Sequence, residues 1–599
     1  MKIHLLFTVL LIFAIALENV RVHRLTFVER LIVFLCISGF TVQALDILGF
    51  VWTFNKLLTF QILFVGSIIL STSFSLLRGG QRKSFGSVAP QVAISLFVFS
   101  LTLCGRLLSD GQQHFAISNI RFLSAEDNAK WLNVAAELVS GDQLAIPGVG
   151  GICVVLFAIV ASFYRSIAPI LNLSSSEVSI VVSTVVSSYL LLIVLSPLTL
   201  VSHRREGTSL VRQLLQDIFP SLFLVAALVR LMQLGHFVSI LFVLFGVTFF
   251  NCGLNLGQSR SNSIHSKIDF LIIMTAFCSL WLPFQIATFF AGLATVGVLI
   301  RYLIQLNVGQ YPKILIGKVV LVFFGSVSVS VHALSYVLGD TTSDSNRVND
   351  LFSAGGGTAS YSFFERILLL FLLLLFLFFS RQNSWTIFTL NIFFIAGLSV
   401  SLLDYLVTGG LHYGSQKLEY LQISILLPCL LGPAISLAIK YFGSSMPALR
   451  TVSVVTCASF LALHSGSFGT WVDLARSTTW PSSSSDVGQD WQSTLSANEP
   501  DGQALTETPI TCGIEFAPND LLSLDYNTYL CTRILHSVAG LENRDSNSLI
   551  TWQLRGDAEK SIQFLSRLPD LIKDRKILVL NPDYSVRRLE TIRSYLDRM

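Results

Sequence analysis

Glu177–Leu200 reads EVSIVVSTVVSSYLLLIVLSPLTL, and after Glu177 it carries no charged side chain. A helix of about 20 apolar residues is long enough to cross the hydrocarbon core of a bilayer. Runs of this kind recur along the chain, at 3–17, 31–52, 57–77, 88–108, 147–164, 177–200, 215–234, 236–256, 268–286, 287–306, 315–338, 364–380, 384–407, 421–441 and 450–466. The whole chain has 599 residues, of which 52% are hydrophobic and 13% charged. Its mean hydropathy is +0.67. Soluble chains carry about 25% charged residues. The fold class expected is therefore an α-helical polytopic membrane protein. The runs lack the alternation of a transmembrane barrel.

Charge bias between the runs sets the expected orientation. Arg21, Arg24 and Arg30 put the first loop in the cytoplasm, and Arg78, Arg82 and Lys83 put the third there too. The loop 109–146 is then external. Its acids, Asp110, Glu126, Asp127, Glu137 and Asp142, outnumber Arg121 and Lys130. From the other end, Arg381 and the Lys440/Arg450 loop read as cytoplasmic, which leaves 339–363, 408–420 and everything from 467 outside. Joining the two ends needs an even number of spans, and about 14 transmembrane helices are expected over residues 1–466. Residues 1–17 have the outline of a signal peptide, but the basic stretch after them argues for a retained first helix.

Residues 467–599 differ in composition. A Ser/Asp/Gln linker, STTWPSSSSDVGQDWQS, leads into a polar domain expected to be extracytoplasmic. TPITCGIEF and KILVLN read as strands. Asp525 suits the start of a helix, and 581–599 reads as a helix with Val586, Leu589, Ile592 and Leu596 on one side. A small α/β domain is the expectation. Seven of the nine cysteines lie in apolar runs; Cys512 and Cys531 lie in the tail. A disulfide between these two would close a loop of about twenty residues, adding ~3 kcal/mol, and two buried thiols are the alternative. No CxxC, no Cys/His cluster and no long basic tract occurs, so neither a protein-held metal nor a nucleic-acid partner is expected. No Walker motif or internal repeat is visible, which argues against an ATP-driven pump and mildly against a repeat-built transporter.

Within loop 109–146, SAEDNAKWLNVAAELVSGD (Ser124–Asp142) has helical periodicity. Trp131, Leu132, Ala135, Ala136, Leu138 and Val139 fall on one face, with Glu126, Lys130, Asn133 and Glu137 opposite. Such a segment could lie in the membrane interface, with Trp131 at headgroup depth. Asp127 sits at the border of the faces. Its plainest reading is helix capping, because Ser124-x-x-Asp127 resembles a capping box.

An external loop with an acidic residue at the start of a membrane-parallel helix, then many spans and an external C-terminal domain, resembles the polyprenyl-phosphate-dependent membrane glycosyltransferases of the GT-C type. The resemblance is one of layout. It implies that Asp127 deprotonates the acceptor hydroxyl, with Glu126 as the alternative base. It also implies a polyprenyl-phosphate lipid donor and an envelope glycan or lipid acceptor. Transfer from a lipid phosphate also needs cations for the leaving group. Arg204 and Arg205, in LVSHRREG, are candidates for that role, or else ordinary cytoplasmic anchors. His412, in TGGLHYG, is a candidate for an external cavity, and Asp404 just before it reads either as exposed or as facing the interior. A divalent cation held by substrate phosphate and one carboxylate is compatible with this pattern. The rival functions are a polysaccharide polymerase or ligase, a lipid or polysaccharide transporter, and a scaffold.

Overall fold

The computed structural model describes residues 127–140, 151–173, 177–200, 219–258, 413–442, 511–515, 565–581 and 586–598, with short pieces between 38 and 100 and a few positions near 175, 296–327, 404–409 and 562. Most of the candidate spans fall outside these residues.

Six helices pack together: α1 (Asp127–Ser140), α2 (Gly151–Ile167), α3 (Glu177–Leu195), α4 (Phe219–Gln233), α5 (Phe237–Gln258) and α6 (Tyr413–Phe442). α3 packs against α1, α2, α4 and α5, while α6 packs against α4 and α5. α3 passes into a 3-10 turn, Ser196–Leu200. Pro197 has no N–H for the next α-helical bond, and this change of pitch is the usual result. Ser196 Oγ and Thr199 Oγ1 donate back to the carbonyls of Ile193 and Ser196, at 2.8 and 2.7 Å. Those bonds satisfy hydroxyls that are fully buried.

Among the described residues one helix, Ser179–Leu200, is long and apolar enough to cross a membrane by length and composition; α2, α4 and α5 contain shorter apolar stretches. The boundaries differ from the expected spans by a few residues. The candidate span 147–164 becomes a helix at Gly151–Ile167, and the pair 215–234 and 236–256 becomes α4 and α5. Arg230 lies in the last turn of α4. The loop expected over 408–420 is helical from Tyr413 onward. Asp404, for which exposure and an interior place were both open, is 4% exposed.

The turn between α4 and α5 has a sequence cause. Gly235, at φ 74°, adopts the left-handed conformation that ends a helix. The His236 N–H reaches the Leu231 carbonyl, and the Gly235 N–H reaches that of Met232, both at 2.9 Å. This is the Schellman pattern, and it reverses the chain in three residues.

In the tail, β1 (Thr511–Ile514) pairs in parallel with β2 (Lys576–Leu580), and β2 pairs antiparallel with β3 (Val586–Thr591). Short helices α7 (Asp570–Lys573) and α8 (Ile592–Arg598) flank β2 and β3. Ile577, Leu578, Val579 and Leu580 are all buried, so β2 is covered on both faces. Leu565, Leu568, Ile577, Val579, Ile592 and Tyr595 form the core on one side. An α/β arrangement with strands in TPITCGIEF and KILVLN is what the sequence led one to expect. The single helix expected over 581–599 is not found. Val586–Thr591 is a strand, and helix begins only at Ile592. Val586, Leu589, Ile592 and Leu596 do recur at helical spacing, but pairing with the buried β2 supplies Val586–Thr591 with backbone partners and overrides the pattern. Cys512 is fully buried in β1; Cys531 and Asp525 lie outside the described residues.

Candidate functional site

α1 is described from Asp127. Its next residue, Asn128, is fully buried, and Asn128 Oδ1 accepts a 2.6 Å hydrogen bond from the Tyr189 hydroxyl on α3. One turn further on, the Trp131 indole N–H donates to the Gly235 carbonyl at 3.2 Å. Gly235 presents that carbonyl because of its left-handed turn.

Phe237, the first residue of α5, is the centre of the packing. Its ring centroid lies 4.7 Å from Tyr189, 5.1 Å from Phe157 and 5.7 Å from Trp131. Four helices therefore meet around one buried ring. At the other end of α1, Arg165 Nη2 donates to the Val139 carbonyl at 2.7 Å. That carbonyl is among the last of the helix, which have no partner within it, and a cation there also suits the helix dipole.

All six residues expected on the apolar face of α1 are buried, and Val134 joins them. The Trp131 indole is 6% exposed and hydrogen-bonded inside the helix cluster, so this apolar face packs against other helices. Periodicity locates an apolar face but does not say what covers it.

The sequence signal for Asn128 was weak, since one amide in a helix's first turn is usually a solvated cap. Its burial leaves Nδ2 without a hydrogen-bond partner among the described residues. Tyr189→Phe should therefore cost about 1–3 kcal/mol, the penalty for leaving a buried polar group unmade. In an Asn128→Leu background the same substitution should cost far less. Thermal unfolding of the four proteins of this double-mutant cycle in detergent checks the coupling.

Of the expected site residues, Asp127 begins α1. Glu126, Arg204, Arg205 and His412 lie outside the described residues. Among the described residues no group of three His, Cys, Asp or Glu side chains comes close enough to share a metal ion.

A second polar cluster lies in the tail. The Glu515 carboxylate is fully buried and takes a two-point contact from Arg588, Nη1 to Oε2 at 2.5 Å and Nη2 to Oε1 at 2.8 Å. Arg598 Nη1 reaches Oε1 at 3.0 Å. Arg588 and Arg598 also bind Glu590 Oε1, at 2.9 and 2.7 Å. The Arg588 hydrogen bonds hold the Glu515 carboxyl below its ordinary value; burial opposes them, and Arg598 adds to the lowering. Nothing in the sequence singled out this cluster beyond the basic doublet Arg587-Arg588 itself.

No protein-family model matches the chain, and no curated protein is significantly similar to it.

Proposed function

We propose that the chain is an integral membrane glycosyltransferase of the cell membrane, taking a sugar from a polyprenyl-phosphate donor and passing it to a cell-envelope acceptor. The observation that carries this reading is the fixed start of α1. A catalytic base must be held to within fractions of an ångström, and such groups are best mounted on rigid elements. Asp127 precedes a residue pinned to α3 and stands one turn from an indole pinned to the α4–α5 turn.

In the reaction, Asp127 (or Glu126) takes the proton of the acceptor hydroxyl. The acceptor oxygen attacks the anomeric carbon, and the bond from that carbon to the phosphate oxygen breaks. Polyprenyl phosphate leaves with the electron pair, and a single displacement inverts the centre. Arg204, Arg205 and His412 are proposed to receive the phosphate, with a divalent ion, if one takes part, shared between that phosphate and a carboxylate. The tail is proposed to be extracytoplasmic, with Cys512 and Cys531 joined there; peptide mapping of the secreted-side domain without reductant should recover the linked pair.

Native mass spectrometry of the purified protein, wild type beside Asp127→Asn, tests the function. Polyprenyl phosphate or its glycosylated form should co-purify, and the glycosylated form should accumulate in the variant. Ordinary phospholipid alone, identical in both, would overturn the proposal and return Asp127 to helix capping.

A further inference from the structure

We propose that Arg587, Arg588 and Arg598 form a binding site for a phosphate group at the carboxyl ends of β1 and β2, kept in order by the buried Glu515. This site is separate from α1 and does not rest on the glycosyltransferase reading.

The backbone explains why the three guanidiniums meet. β1 and β2 are parallel and end together, Ile514 opposite Leu580, so Glu515 and Asn581 follow the two carboxyl ends side by side. Ligands of open α/β sheets bind at that edge. On β3, Arg588 pairs with Val579, yet the next pair is Leu580 with Val586. Arg587 is thus the extra residue of a β-bulge. Regular alternation would send consecutive side chains to opposite faces, but the bulge brings Arg587 and Arg588 to the same carboxylate. Arg598 arrives from the last turn of α8.

Charge and hydrogen bonding leave room for an anion. Three guanidiniums meet two carboxylates, Glu515 and Glu590. Among the described residues of the cluster, one positive charge is in excess. The two acids are 0% and 12% exposed, whereas Arg587, Arg588 and Arg598 keep 24%, 28% and 30%. Arg588 commits all three nitrogens and Arg598 commits two. Among the described residues Arg587 makes two long contacts, each 3.3 Å, to Glu515 Oε2 and to the Glu515 carbonyl. It is the least committed cation of the cluster. The planar partner of the Arg588 fork is already present in Glu515. What remains is N–H groups on three separate guanidinium planes, a set that suits a tetrahedral phosphate better than another planar carboxylate.

The phosphate could belong to a lipid headgroup or to a soluble phosphate ester. Calorimetry on the full-length protein in a neutral detergent separates them, titrating inorganic pyrophosphate in one arm and micelles doped with phosphatidic acid in the other. Saturable binding is expected in at least one arm, weakened about tenfold in Arg587→Gln, the loss of one charge-assisted contact. Lys573→Gln, on α7, should leave it unchanged. Response to pyrophosphate alone assigns a soluble ester; response to phosphatidic acid alone assigns a headgroup. Hydrogen exchange at Ile577–Leu580 should stay slow in Arg587→Gln, because its contacts are long and partly exposed; if that variant unfolds the sheet, Arg598→Gln carries the comparison. Absence of saturable binding in both arms, or equal binding by the arginine variant, overturns the site and leaves the cluster as a clamp for α8.

Discussion

Glu515→Leu should destabilise the C-terminal domain by about 3 kcal/mol, the low end of what removing one partner of a buried ion pair costs. The low end applies because the arginines left behind are about a quarter exposed and can regain some water. The substitution keeps the apolar volume but removes the anion on which three guanidiniums converge. Glu590, bound by Arg588 and Arg598, is then the one carboxylate left in the cluster. Since Arg598 binds both acids, α8 should loosen first and the β2–β3 pairing next. Hydrogen exchange at Lys576–Leu580 in the full-length protein, followed along a urea series, reads the loss directly.

The same carboxylate makes a pH signature. Its native titration lies below the ordinary glutamate value of 4.5, chiefly because of the Arg588 hydrogen bonds. A depressed native value means that the folded form binds its proton less readily than the unfolded chain does. The stabilisation is complete above 4.5 and is lost as pH falls through the lower native value. Wild-type protection of β2 should therefore drop on the acid side, and Glu515→Leu should remove that component of the drop. An unchanged acid profile in the variant would show that titration of Glu515 contributes nothing to the acid loss.

Trp131→Ala should be the most damaging single change in the helix cluster, at about 3–5 kcal/mol. The indole is buried, packs at a tilt against Phe237 and is hydrogen-bonded to the α4–α5 turn. Its removal opens a cavity where α1, α5 and that turn meet, and interiors packed to crystal density relax only partly around such a hole. Trp131→Phe separates the contributions. It retains a ring against Phe237 but loses the N–H and part of the indole's volume, so it should cost less than the alanine, about 1–3 kcal/mol. Thermal unfolding in detergent of both variants gives the difference. Equal losses would mean that the hydrogen bond to Gly235, and not ring packing, holds α1 in place.

The buried face of α1 was legible from its helical period of apolar residues, and the strand at Lys576–Leu580 from a short continuous apolar run. Gly235 was legible in principle too, as a glycine between two apolar runs where a helix must stop. By contrast, Val586–Thr591 carries helical spacing and strand-forming residues together, and only the presence of β2 beside it decided between them.

The sequence by itself determined which segments are apolar and, for α1 to α5, where the helices run to within a few residues. It could do so because those properties depend on neighbours three or four residues apart. Tertiary structure alone decided that Asn128 meets Tyr189 across 61 residues and that Trp131 meets Gly235 across 104. It also decided that a one-residue bulge turns Arg587 and Arg588 onto Glu515, more than 70 residues before them. Contacts at such separations depend on helix crossings and strand register, which no local period encodes.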